Sequence, residues 1–269
     1  MGLLPQELVE RYSVVHRPKG PRIQLAIVWF VGLLIAFFIG SGGLAVFFAA
    51  QAAIAALQVC QRWKEAKSAS NPILAAGVAA AMPLAAWFNN AACGAVVLLF
   101  VALAVVFGRG FGQLPRDESG RPQIDLRTSI EGAWVTLAAG FIPGLAAAAV
   151  VQVHRIDAMA FVFLAAAVCT YDAGDHLCSA GYASRSVGPL SGMFGVLVVT
   201  VVMVVIQPSP LSGPSVWLTG ILLAVLCPPG QWLASWMLPR SDSSAPALRR
   251  LDAWFVTAPV FWMIVALAG

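Results

Sequence analysis

Ala158-Met-Ala-Phe-Val-Phe-Leu-Ala-Ala-Ala-Val-Cys169-Thr-Tyr171-Asp172-Ala-Gly174-Asp175-His176 decides how the chain is read. Its first part, residues 158–169, is an uninterrupted apolar run. It ends on two carboxylates and an imidazole, in a chain where only 10% of residues are charged and 60% are hydrophobic. A soluble domain is nearer half apolar with a quarter of its residues charged. Runs of this kind recur at about 23–40, 43–61, 72–89, 91–107, 130–152, 156–173, 187–206, 214–237 and 252–268. Each approaches the length needed to cross a hydrocarbon core of about 30 Å. Backbone amides in lipid must be satisfied within the segment, and the alternation of barrel strands is missing, so the runs read as helices. The expected fold is all-α and integral to the membrane, a polytopic bundle of about nine transmembrane helices. Residues 1–22 form a cytoplasmic N-terminal segment and 23–269 a single transmembrane domain.

Ser41-Gly42-Gly43 and Asn89-Asn90 predict tight hairpins, and Pro83, Pro143 and Pro228-Pro229 predict kinks or breaks inside spans. The charge then assigns sides. Arg11, Arg17, Lys19, Arg22, Arg62, Lys64, Lys67, Arg109, Arg116, Arg121, Arg127, Arg185, Arg240, Arg249 and Arg250 fall on one side, leaving only Arg155 opposite. The positive-inside rule makes the crowded side cytoplasmic, with the N-terminus inside and the C-terminus outside, and the expected location is the plasma membrane. A net charge of +4 spread over such loops points to topology and not to nucleic acid. Asp172, Asp175, Asp242 and Asp252 lie on that same side, and Asp157 alone lies opposite, where a first-turn carboxylate is sufficient explanation. The five cysteines show no CxxC pair or zinc spacing and read as small buried hydrophobes.

Three constellations can carry chemistry. In the first, Asp172, Asp175 and His176 share one helical face. They mark either the end of a helix or a site, and carboxylates at a membrane boundary suit Mg²⁺ with its oxygen ligands. The second is residues 179–195, rich in Gly and Ser, with Arg185 and Ser191 able to cradle phosphate before a helix. Its glycines equally suit close helix packing. The third is residues 230–259, where Arg249-Arg250 beside Asp252 suits a lipid phosphate or a nucleotide triphosphate, or simply marks topology.

Asp172, the loop Gly188-Pro189-Leu190-Ser191-Gly192, and Gly230, Ser235, Arg250, Asp252 and Pro259 stand in the order found in phosphatidate cytidylyltransferases (CDP-diacylglycerol synthases). The chain resembles that family over about residues 130–269. Gln231 stands where the family has Asp, and Arg249 where the closing motif has its first Asp. The loop Lys and the His-Gly-Gly are absent, and Gln58 stands for a family Glu. The resemblance implies that a lipid phosphate oxygen attacks the α-phosphorus of CTP and pyrophosphate leaves, with divalent metal clamping the phosphates. It implies Asp172, Asp252 and Arg250 as catalytic residues, and Arg185, Ser191 and Arg249 as binding residues. Asp172, Asp175, Asp242 and Asp252 would be ligands of Mg²⁺. CTP, a phosphatidate-like lipid and the surrounding membrane lipids would be the partners. The alternative is a catalytically degenerate member that binds lipid or a partner membrane protein. The oligomeric state is open between a monomer and a homodimer. A solute transporter would need a polar path to both faces, which the nearly uncharged far side does not offer.

Overall fold

The computed structural model describes residues 22–66, 70–107, 126–179, 187–240 and 243–269. Its helices are α1 (Arg22–Ile39), α2 (Ser41–Glu65), α3 (Pro72–Phe88), α4 (Asn90–Phe107) and α5 (Leu126–Ile156). They continue with α6 (Ala158–Ser179), α7 (Val187–Ile206), α8 (Pro214–Trp236), the short α9 (Leu248–Leu251) and α10 (Trp254–Ala268). Among the described residues there is no strand, and each apolar run falls on a helix, the last on α10.

Three times a single residue separates consecutive helices. Gly40 takes φ +97°, a conformation that favours glycine, so the first hairpin turns one residue before Ser41-Gly42-Gly43. Asn89 separates α3 from α4 and accepts a hydrogen bond from Ala92 N at 2.7 Å. Asp157 separates α5 from α6 and accepts from Ala160 N at 2.7 Å, capping α6 as its position predicts. Such short connections force neighbouring helices to run antiparallel. Residues near 86–90 and 152–158 therefore gather at one end of the bundle, and residues near 58–65, 172–179 and 231–252 at the other.

α5 is the centre. It packs against α2, α3, α4, α6 and α10. Ala146 to Val151 and Val153 are all buried, as a helix apolar on every side should be. α6 and α7 approach closely through small residues: a Cβ on Gly192 would stand 2.7 Å from the Tyr171 carbonyl oxygen, and one on Gly174 would stand 3.0 Å from Gly192 Cα. At the next crossing Gly220 of α8 meets Thr200 of α7.

Among the described residues six helices are long and apolar enough to cross a membrane: Ser41–Glu65, Glu131–Ile156, Ala158–Cys178, Val187–Ile206, Pro214–Trp236 and Leu248–Ala268. Ala26–Ile39, Pro72–Phe88 and Asn90–Leu103 are shorter apolar helices. Pro83, Pro143 and Pro228-Pro229 lie inside helices that continue through them, so none of them breaks its span. α6 runs on to Ser179, which places Asp172, Asp175 and His176 in its last turns.

Candidate functional site

α6, α8 and α9 with the start of α10 meet at one end of the bundle. α6 contributes Tyr171, Asp172 and Asp175, spaced so that Tyr171 and Asp175 lie one turn apart. α8 contributes Gln231 and Ser235 at the same spacing. α9 contributes Arg249 and Arg250, and Asp252 follows at the junction with α10.

These side chains form one chain of hydrogen bonds. Tyr171 Oη donates to Gln231 Oε1 at 3.1 Å, and Gln231 Nε2 donates to Asp175 Oδ2 at 2.9 Å. Ser235 Oγ donates to the Gln231 carbonyl at 2.9 Å and accepts from Arg249 Nη1 at 2.9 Å. Arg249 Nη1 lies 3.9 Å from Asp252 Oδ2, while Asp252 Oδ1 accepts from Ala253 N at 2.7 Å. Tyr171, Asp175, Gln231, Ser235 and Asp252 are all buried. Asp172 lies within electrostatic reach of Asp252, Arg250 and Asp175. Carboxylates withdrawn from water need partners of this kind, since an uncompensated buried charge is strongly destabilising.

α9 is a single turn and holds its position through its neighbours. Three side chains near the end of α2 fix the segment that carries it. Ala247 N donates to Gln58 Oε1 at 3.0 Å, so a glutamine from α2 satisfies an amide at the start of α9. Arg62 Nε donates to the Ser244 carbonyl at 2.9 Å, and Trp63 Nε1 to the Met237 carbonyl at 2.7 Å. Gly230 is where α8 passes the backbone of the cluster, and a Cβ there would collide with the Asp252 carbonyl oxygen.

The sequence therefore selects residues that do converge: Asp172, Asp175, Asp252, Arg249 and Arg250. Ser191 serves a different contact, its hydroxyl donating to the Gly174 carbonyl at 2.7 Å and the Gly188 carbonyl at 3.0 Å, which ties α7 to α6. Arg185 and Asp242 lie outside the described residues. In the sequence Tyr171 and Ser235 have no evident role and Gln231 stands only as a missing acid, yet they hold the cluster together. The one signal available was the four-residue spacing of Tyr171–Asp175 and Gln231–Ser235.

The donor set bears on metal. Asp175 is engaged by Gln231, and Asp252 by a backbone amide and Arg249. Among the described residues no three His, Cys, Asp or Glu side chains are grouped to hold a metal ion. Mg²⁺, which takes several oxygen ligands, would have to share these carboxylates with the partners they already have. What the arrangement offers is two guanidinium groups among buried hydrogen-bonded acids, at the end of an apolar bundle. No protein-family model matches the chain, and neither does any curated protein or solved structure.

Proposed function

We propose that the chain is an integral membrane protein of nine spans, in the plasma membrane, with the cluster facing the cytoplasm. There it takes the phosphate of a phosphatidate-like lipid together with CTP, in the manner of a phosphatidate cytidylyltransferase. The observation that carries this reading is the convergence of Arg249, Arg250, Asp172, Asp175 and Asp252 from separate helices. Exposed apolar side chains such as Phe38, Leu98 and Val205 on the outer helices support a lipid surrounding. Charge at the bundle's end suits a reaction between a water-soluble nucleotide and a lipid. Arginine holds phosphate by paired N–H donors, and Arg249 is already oriented by Ser235.

A specific observation favours a second reading, lipid-phosphate binding without turnover. The bonds from Gln231 to Asp175 and from Ala253 to Asp252 occupy oxygens that a metal would need. No metal-assisted step is assigned to these residues for that reason. The experiment is an assay of purified protein with phosphatidate and radiolabelled CTP, with Mg²⁺ and with EDTA, alongside phosphatidate binding. CDP-diacylglycerol formation that is lost on Arg250→Ala supports transfer. Binding without product supports the second reading. Neither binding nor product overturns both.

A further inference from the structure

Three buried side-chain nitrogens among the described residues have no hydrogen-bond partner: Trp29 Nε1, His154 Nδ1 and Trp254 Nε1. They lie along one seam, the junction between α1 and the rest of the bundle. Trp29 belongs to α1, and its ring centroid is 6.3 Å from that of Trp254, at the start of α10. His154 packs edge-on against Phe37, also of α1, at 5.7 Å. Away from this seam buried donors are matched, as Tyr171 is to Gln231 and Gln152 is to the Ala86 carbonyl. Protein interiors rarely leave a buried N–H without an acceptor. Here two indole donors lack one side by side.

α1 is also the least embedded element beside them. It packs chiefly on α2, and Val28 and Phe30 flank Trp29 as exposed residues. The walls around the indoles are aromatic, with Phe47 5.7 Å from Trp29 and Phe48 5.4 Å from Trp254. The missing complement is therefore uncharged, apolar in bulk, and supplied with acceptor oxygens. The ester carbonyls of a diacyl lipid have that chemistry. Trp254 follows Asp252 by two residues and Arg250 by four, so one of the two indoles shares a short stretch of chain with the phosphate-binding groups, and Trp29 stands beside it.

We infer that the seam between α1 and α10 is the glycerol-ester site of the lipid. Trp29 and Trp254 Nε1 donate to its ester carbonyl oxygens while its phosphate meets Arg249 and Arg250. Admitting the carbonyls parts the two indole rings, which moves α1 outward from α10. This rests on the reading that the cluster holds a lipid phosphate.

The test compares ester-linked phosphatidate with its dialkyl ether analogue, which lacks the carbonyls, for binding to the purified full-length protein by native mass spectrometry. The wild type binds the ester form at least about fivefold more tightly, the worth of one modest net hydrogen bond. Trp29→Phe and Trp254→Phe, which keep an aromatic ring and delete the N–H, bring that ratio toward one by weakening the ester form more than the ether. Trp29→Phe suffices where Trp254→Phe does not fold. Equal affinity of the wild type for both lipids overturns the ester site alone, as does an equal weakening of both lipids by the variants. Failure to bind either lipid overturns the lipid-phosphate reading and this site with it.

Discussion

Where α5 gives way to α6, Gln152 Nε2 and Arg155 Nη1 both donate to the Ala86 carbonyl, at 3.0 and 2.8 Å, and Asp157 caps α6. Every one of these bonds ends on backbone at a helix terminus, where unsatisfied carbonyls and amides need partners. At the other end bonds to backbone are joined by bonds between side chains of separate helices, Tyr171 and Asp175 of α6 with Gln231 of α8, and Ser235 of α8 with Arg249 of α9. Both ends bury polar groups, but for different purposes. The far end uses charge to finish helices, which explains why the single cation expected there, Arg155, sits where it does. The near end sets buried acids and arginines beside one another, and there, among the described residues, charged groups from separate helices come together.

Parallel substitutions at the two ends sharpen that contrast. Gly230→Ala pushes a methyl into the Asp252 carbonyl and is predicted to cost about 3 kcal/mol. At the far end Gly94, with nothing within 4 Å of a Cβ, accepts alanine with a gain of up to about 1 kcal/mol from helix propensity. Unfolding in detergent measures both, and similar effects at the two sites would break the comparison. Next in size is Gln231→Leu, which leaves the Tyr171 hydroxyl without its acceptor and takes one donor from Asp175, for a predicted loss of about 2 kcal/mol. Gln152→Leu leaves the Ala86 carbonyl still bonded to Arg155 and is predicted to cost only about 1 kcal/mol. The smallest loss is Asp157→Ala, a deleted helix cap worth about 1 kcal/mol, with phosphatidate binding unchanged. A change in lipid affinity on that substitution would show that the far end takes part in function.

The apolar runs foretell the helices because burial in lipid or core leaves a periodic record in the chain itself. Asn89 and Asp157 are legible for a similar reason, since turn and cap chemistry acts over three or four residues. The site is legible in its charges, because a carboxylate or guanidinium beside an apolar span stands out. Its connections are not. Gln231 reads only as an absent acid, and nothing near it in sequence says that it reaches Asp175 and Tyr171, fifty-six and sixty residues away. The hold of Gln58, Arg62 and Trp63 on the segment before α9 crosses most of the chain for the same reason. The prolines suggest breaks that α3, α5 and α8 do not make, since a helix packed among others can have the backbone groups freed by proline satisfied by its neighbours.

The most direct measurement is phosphatidate affinity in Arg249→Met and Arg155→Met, the same change made once at each end. We predict a loss of at least about tenfold for Arg249→Met, as expected on removing a charge-assisted phosphate contact, and wild-type affinity for Arg155→Met. Equal affinities in the two variants would contradict the assignment of the lipid phosphate to the cluster of α6, α8 and α9.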